Sequence, residues 1–253
     1  MKIDLSNKTA LVTGASGQLG RVMARTLASC GADVVIHYLK NETMARSLQN
    51  EIEALGRQAL PLQADLTDAD AAAKMKSQIF DRFDSLDILV ANAVSQYTWT
   101  TILEQDLDDY VDQFETCVMQ NVLLIKAFVP HMIERGYGRV IGINTECAMQ
   151  NFPTQSAYVA GKRGMDGIYR ILAKEVGEHQ ITVNQVAPGW TISDRDRENQ
   201  TEIQAAYSAS VPLKRRGTDQ EIANVVAFLA SDLASFITGA YIPVCGGNVM
   251  PTI

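Results

Sequence analysis

The 253-residue sequence has no excess of basic residues. Its 22 lysines and arginines face 29 aspartates and glutamates, a formal net charge of −7. The electrostatic footprint of a nucleic-acid binder is therefore missing, and no polybasic cluster is present to hold an anionic membrane. Cysteine is sparse: Cys30, Cys117, Cys147 and Cys245 lie far apart. None shows Cys-x-x-Cys spacing, so neither a thiolate metal site nor a dithiol redox pair is indicated, and no metal is expected. Reduced, buried thiols in a cytoplasmic protein are the expectation. The opening residues Met1-Lys2-Ile3-Asp4-Leu5 lack an apolar signal core, and no stretch is expected to span a membrane. Nor is there a linker, an internal repeat or a low-complexity segment, so residues 1–253 are read as one domain.

Apolar residues are plentiful, at 47%, enough for a single large core. Short apolar runs alternate with amphipathic segments throughout. Strands are predicted at residues 9–13, 34–38, 59–64, 86–91, 139–144, 181–187 and 240–244. Between them, helical spacing predicts helices. Leu19, Val22, Met23, Leu27 and Cys30 recur on one face of the first, which Gly31 closes. Further helices are expected at 42–55, 68–83, 104–135 (one or two), around Tyr158 and Lys162, and at 218–230. Repeated β-α-β crossovers imply an α/β, doubly wound parallel sheet of Rossmann type, about seven strands with helices on both faces. The least regular stretch, 188–216, leaves the carboxyl end of a strand, where open α/β sheets bind ligands. Residues 190–216 are accordingly read as a lid, the alternative being an ordinary surface loop.

Two stretches carry chemistry. The first strand runs into Thr13-Gly14-Ala15-Ser16-Gly17-Gln18-Leu19-Gly20 and then a helix. Glycines there allow a tight turn and close approach to a pyrophosphate at the positive helix N-terminus. A tight turn without a ligand has the same sequence, so the evidence lies in its position after the first strand. The second stretch is Tyr158-Val-Ala-Gly-Lys162. A spacing of four places both side chains on one helix face. A lysine ammonium beside a phenol is expected to lower its pKa from about 10 and tune it for proton transfer near neutrality. Taken alone, the same spacing also describes a solvated helix face.

These residues resemble the short-chain dehydrogenase/reductase family over nearly the whole chain. The family's usual Thr-Gly-x-x-x-Gly-x-Gly appears here with its middle glycine one place early, as Gly14, Gly17 and Gly20, a spacing more like the family's extended members. Asp65 and Leu66 stand where the family contacts the adenine. Asn92-Ala93-Val94 resembles its Asn-Ala-Gly run. Asn121 occupies the place of a helical catalytic asparagine. Pro188-Gly189, with Thr191 and Ser193, resembles the segment that holds the nicotinamide amide. Thirteen positions before Tyr158, where the family has a serine, stands Thr145, which keeps the hydroxyl and adds a methyl. For its neighbour Glu146 the two readings are the substrate pocket and solvent, with solvent the expected one. Cys245, in the place of an acidic residue, is given a structural role near a subunit contact.

The resemblance implies hydride transfer between a nicotinamide cofactor and a small carbonyl/alcohol substrate. Tyr158 is the expected proton donor, Lys162 its modulator and ribose ligand, Thr145 the orienting hydroxyl and Asn121 the support of a proton-relay water. Cofactor contacts are expected from Gly14, Ser16, Gly17, Gln18, Leu19, Tyr38, Lys40, Asp65, Leu66, Asn92, Ala93, Tyr158, Lys162, Pro188, Gly189, Thr191 and Ser193. NADP(H) is preferred over NAD(H), because Tyr38 takes the place of the carboxylate that would bond a ribose 2′-hydroxyl and Lys40 could reach a 2′-phosphate. Within the family, Glu51-Ile-Glu-Ala-Leu-Gly56 resembles the 3-oxoacyl-carrier-protein reductase group. Acyl-carrier protein is nevertheless expected to be a poor partner: such carriers are acidic and so is this chain, and although Arg135 suits one docking position, Glu178-His179 occupies the place of a second basic residue. A homotetramer is the implied assembly. The alternatives are a dinucleotide-sensing regulator, which would not need the Tyr158–Lys162 pair, and an epimerase or dehydratase, suggested by Gly17 and Thr145.

Overall fold

In the computed structural model, which describes residues 2–250, seven strands form one sheet in the order β3-β2-β1-β4-β5-β6-β7. They are β1 Thr9–Val12, β2 Asp33–Tyr38, β3 Ala59–Gln63, β4 Ile88–Ala91, β5 Gly138–Ile143, β6 Ile181–Pro188 and β7 Tyr241–Val244. Every neighbouring pair is parallel. Helices α1 Gln18–Ser29, α2 Glu42–Ala54 and α10 Asp219–Ala230 cover one face. Helices α3 Ala69–Phe80, α5 Gln120–Arg135 and α7 Ser156–Val176 cover the other. The expected helical stretch 104–135 divides into α4 Leu107–Phe114, a π-helical turn Glu115–Met119, and α5.

Successive strand residues point to opposite faces, and both faces are buried, which is why the strands read as continuous apolar runs. Val12, Ile36 and Val90 enter the core under α1, α2 and α10 with Met23, Leu27, Leu48 and Val226. Leu11, Val35 and Leu89 enter the opposite core with Met75, Ile79, Phe128, Met132, Met165 and Tyr169. Each fully buried side chain of this size contributes about 1.5–3 kcal/mol relative to exposure.

The helical run Leu107–Arg135 bears on the expectation that no stretch spans a membrane. It spans 29 residues and is apolar enough, by length and composition, to cross a membrane. Here its Leu124, Phe128, Val129 and Met132 are buried in the core shared with α3 and α7, so its apolarity serves packing.

The chain leaves β1 for β2 on one side and later crosses to β4 on the other. This switch point opens a crevice at the carboxyl ends of β1 and β4, where ligands of such sheets bind. The glycine turn follows β1 and Asn92 follows β4. Thr145 follows β5, and Gly189 follows β6.

Candidate active site

The glycine turn is shaped from beneath. Gly14 has φ +62°, a left-handed conformation that favours glycine. A Cβ at Gly20 would stand 2.4 Å from the Gly14 carbonyl oxygen, so the helix can begin this close to the turn only with glycine there. Gly17 has an ordinary φ of −80°. The early middle glycine is thus not a conformational necessity, and the place where the family pattern has glycine is taken by Gln18. Helix α1 starts from Gly17 with no side-chain cap and no acid in its first turn, which leaves its positive end suited to a pyrophosphate. These features fit a dinucleotide.

Two residues hold the turn in place that sequence reasoning did not assign. Thr13 Oγ1 accepts from the amides of Asn92 (2.8 Å) and Ala93 (3.0 Å). His37, on β2, accepts from Gly14 N at Nδ1 (3.0 Å) and reaches Ala64 O through Nε2 (3.0 Å). Nε2 therefore carries the proton, and burial, the dominant influence, lowers the ring's pKa. A lone histidine in a strand has no sequence signature for this. Asn92 donates from Nδ2 to Thr13 O (2.9 Å), so its side chain braces the turn. Asp65 Oδ1 accepts from Thr67 N and Oγ1, bonds that lower its pKa. Leu66 is buried beside it. Tyr38 is buried, whereas Lys40 is exposed just beyond β2. Ser16 is partly exposed on the turn and Leu19 packs against the core.

The catalytic floor is made by β5 and α7. Tyr158 and Thr145 both line a cavity of about 540 Å³. Thr145 Oγ1 also accepts from Cys147 N (3.2 Å). Asn144 rivets this segment: its Oδ1 accepts from Thr145 N (2.9 Å), and its Nδ2 donates to Lys162 O (3.0 Å) and Gln185 Oε1 (2.7 Å). Tyr241 donates its hydroxyl to Thr145 O. Lys162 is buried and donates from Nζ to Ile143 O (2.7 Å), with Nζ 5.7 Å from the centre of the Tyr158 ring.

The electrostatics differ from the expected tuning. Burial raises the Tyr158 pKa above that of a free phenol; the Cys147 thiol adds to this and the Thr145 hydroxyl opposes it. Burial lowers the Lys162 pKa. Desolvation disfavours the charged form of both groups, and the ammonium is engaged by a backbone carbonyl. The direction for Tyr158 is thus opposite to the lowering expected from Lys162, whose ammonium is held by the Ile143 carbonyl.

Asn121 is buried and lies just after the π-helical turn. Its Nδ2 donates to Cys117 O (2.8 Å) and its Oδ1 accepts from the Tyr169 hydroxyl (2.8 Å). Both polar ends of the side chain thus brace this irregular helix. Gly161 lets that helix approach α7, since a Cβ there would stand 2.8 Å from Gln113 O.

The cavity walls come from loops that the sequence left unmarked. Tyr97 accepts at its hydroxyl from Tyr158 N (2.9 Å), and Trp99 stacks on the Tyr158 ring at 6.1 Å between centroids. Phe152, Gln155, Trp190 and Tyr207 complete the lining. Glu146 is not the solvent-facing residue expected. It is 3% exposed, and its carboxylate accepts from Tyr207 Oη and Asn248 Nδ2. Those two donors, one in the segment that follows β6 and one near the C-terminus, draw the carboxylate inward.

Segment 190–216 forms two short helices, α8 Asp194–Glu198 and α9 Ala205–Ser210. Pro188 O accepts from Glu146 N, and Gly189 N donates to Val244 O. A Cβ at Gly189 would stand 2.7 Å from the Tyr207 hydroxyl. Thr191 Oγ1 donates to Gly189 O (3.0 Å), and Ser193 caps α8. Gln18, expected to face the cofactor, instead donates to Ile192 O and Asp219 and accepts from Asp194 N. Cys245 Sγ accepts from Val249 N (3.3 Å), a structural use of that thiol.

A doubly wound sheet with a glycine turn at its switch point, and a Tyr–Lys pair facing a hydroxyl across the neighbouring strand end, defines a dinucleotide-dependent oxidoreductase. The comparisons agree. A family model described as enoyl-(acyl carrier protein) reductase matches residues 14–248. The 3-oxoacyl-[acyl-carrier-protein] reductase FabG of Escherichia coli (strain K12) is 37% identical over 98% of this chain and 100% of its own length. That of Staphylococcus epidermidis (strain ATCC 12228) is 36% identical over 96% and 100%. Among solved structures, the promiscuous reductase LugOII, which catalyses keto-reduction in lugdunomycin biosynthesis, superposes with a TM-score of 0.90 at 32% identity, covering 97% of this chain and 99% of that one. An NAD+-bound xylitol dehydrogenase superposes at 0.89 with 27% identity, covering 96% and 99%. This chain belongs to the short-chain dehydrogenase/reductase family, whose members are NAD(P)-dependent oxidoreductases acting on carbonyl and CH–OH groups.

The expectation that acyl-carrier protein is a poor partner is overturned by these relatives, which act on that carrier. The argument from net charge failed because docking depends on the local potential around the site, which a whole-chain total does not describe.

Proposed function

We propose that the protein transfers hydride between NADP(H) and a carbonyl/alcohol substrate, with Tyr158 as general acid/base. The observation that carries this reading is the pair of hydroxyls, Thr145 and Tyr158, on the floor of one cavity. When bound, the cofactor supplies or accepts hydride at its nicotinamide ring. The chain's own residues do the rest. Thr145 and Tyr158 converge on the substrate oxygen, and Tyr158, held protonated by burial, donates to it in the reduction direction. Lys162 is fixed behind the tyrosine, in reach of the region a nicotinamide ribose would occupy. Tyr97, Trp99, Phe152 and Trp190 supply aromatic surface around the space for the reacting carbonyl. Asn121 supports the π-helical turn that packs on α7.

The NADP(H) preference is supported by an exposed Lys40 beyond β2 and by the absence of a carboxylate from residues 38–41; NAD(H) remains the other candidate. By likeness to the curated relatives, a 3-oxoacyl group presented on acyl-carrier protein falls within the proposed substrate class. Exposed apolar side chains along and just before α4, Leu103, Leu107, Val111 and Phe114, support assembly into a homotetramer, which light scattering tests directly. The deciding experiment follows NADPH oxidation with 3-oxoacyl thioesters and a panel of ketones. Turnover by the wild type and none by Tyr158→Phe is expected; no turnover of any carbonyl would sink the reading.

A further inference from the structure

The roof of the cavity is anchored by two unlike devices. The α8 end is held by charge. Arg216, buried, donates to Asp196 (2.8 Å) and Thr191 O (2.8 Å); Arg21 pairs with Asp194 (2.6 Å) and Arg197 with Asp219 (2.9 Å). The α9 end has no such pairs. Among the described residues, α9 buries none of its own and lacks a side-chain cap. The chain beyond it is anchored at Val211, which is fully buried; the helix itself is held by the exposed Lys214, which donates from Nζ to Ala209 O (2.7 Å), and by Tyr207, which ties it to the cavity.

Tyr207 donates its hydroxyl to Glu146 Oε1 (2.8 Å) and accepts from Trp190 N (2.9 Å). Asn248 donates from Nδ2 to the other oxygen of Glu146 (3.1 Å). The Glu146 backbone N donates to Pro188 O (3.0 Å). One carboxylate therefore joins the roof helix, the C-terminal segment and the strand end that leads to the lid. It sits next in sequence to Thr145, so the anchor stands at the edge of the floor that meets the substrate. A buried carboxylate with two separate donors is a firm anchor, because leaving either oxygen unpaired costs its desolvation. Burial raises the carboxyl pKa, and the donors oppose that rise.

We infer that Glu146 is a positioning residue for the reaction, which with Asn248 latches Tyr207, and through it α9 and Trp190, over the bound substrate. This rests on the reading that the cavity takes the carbonyl substrate. The latch acts on substrate affinity more than on the chemical step, since Thr145 and Tyr158 are held separately by Asn144, Tyr241 and Tyr97.

The test compares Glu146→Gln, Tyr207→Phe and the double variant. With acetoacetyl-coenzyme A and saturating NADPH, each single variant is expected to raise KM about tenfold, the effect of one charge-assisted hydrogen bond. The expected kcat stays within about twofold, and NADPH affinity by fluorescence titration is unchanged. The double variant should be no worse than the worse single one, because both remove the same bond. Independently of turnover, hydrogen exchange of the 205–210 amides should quicken about tenfold in both single variants, with α7 unaffected. Additive losses in KM, unchanged exchange at 205–210, or faster exchange throughout α7 would each overturn the latch. If the wild type reduces no carbonyl, the function proposed above fails while the exchange result still decides the latch.

Discussion

The floor of the cavity and its roof face each other across the same space but are held by different physics. The floor, β5 with α7, is packed on apolar side chains such as Ile141, Met165 and Tyr169, and its polar atoms are bonded by Asn144 and Lys162. A Cβ on Gly142 would stand 2.3 Å from the Met165 methyl carbon, so floor strand and helix are in close contact. The roof, α8 and α9, buries none of its helical residues among those described and depends on polar ties. Close packing tolerates little displacement, whereas a few hydrogen bonds and ion pairs can open locally. On the proposed function, chemistry belongs to the floor, which must hold hydroxyls in register, and substrate admission to the roof.

Substitutions that separate floor from roof should differ in kind as well as size. The largest effect is expected on the floor. Tyr158→Phe keeps the ring and removes the acid, so kcat should fall about 10³-fold while NADPH affinity, measured by fluorescence, is retained. Near-normal kcat in this variant would move the acid elsewhere. Thr145→Val should cost about 10²-fold in kcat, and Thr145→Ser should stay close to wild type; steady-state rates with one ketone check both. An active valine variant would transfer the orienting role to another donor.

A pH profile sharpens the same comparison. The Tyr158 pKa is raised by burial, and reduction requires the protonated phenol. The reduction rate should therefore hold steady past the usual phenol pKa of about 10 and fall only as pH rises through the higher folded value. The alcohol-oxidation rate should still be climbing at pH 10. A reduction limb that falls near pH 7 would show that Lys162 tunes the tyrosine after all.

On the roof, Arg216→Ala removes the buried cation that holds α8. It should raise KM about tenfold and expose residues 194–216 to limited proteolysis, with kcat changed less than KM. An equal loss in both would erase the distinction between floor and roof. The smallest effect is expected outside both. Lys40→Ala should lower kcat/KM for NADPH about fivefold and leave that for NADH unchanged. Equal NADPH and NADH efficiencies in the wild type would mean that the segment after β2 does not discriminate.

Much of the floor was legible before the structure, because regular elements carry periodic signals. Tyr158 and Lys162 are a helical repeat apart, and Thr145 follows from the family resemblance, which implies a hydroxyl thirteen positions before the tyrosine. The walls were not legible. Tyr97 and Trp99 lie in an irregular segment that has no period, and they reach Tyr158 only because β4 and α7 are neighbours in space. His37 reads as one more residue of a buried strand, yet its two ring nitrogens join the glycine turn to the end of β3. Glu146 was misjudged because an isolated carboxylate is usually solvated, and its partners Tyr207 and Asn248 stand 61 and 102 positions away. Gln18, placed beside the cofactor by its position in the glycine turn, is drawn to the lid by Ile192, Asp194 and Asp219.

What the sequence by itself determined is the architecture and the order of the chemical groups along it. Both depend on local spacing: an apolar period selects strand or helix, and a glycine or proline ends it. What only the tertiary structure decided is how each group is charged and what holds it. The Tyr158 pKa rises here chiefly because of burial, and Glu146 is buried because Tyr207 and Asn248, from two distant segments, converge on its carboxylate. Desolvation and hydrogen bonding depend on distances of a few ångströms between residues remote in the chain, and no local pattern encodes those distances.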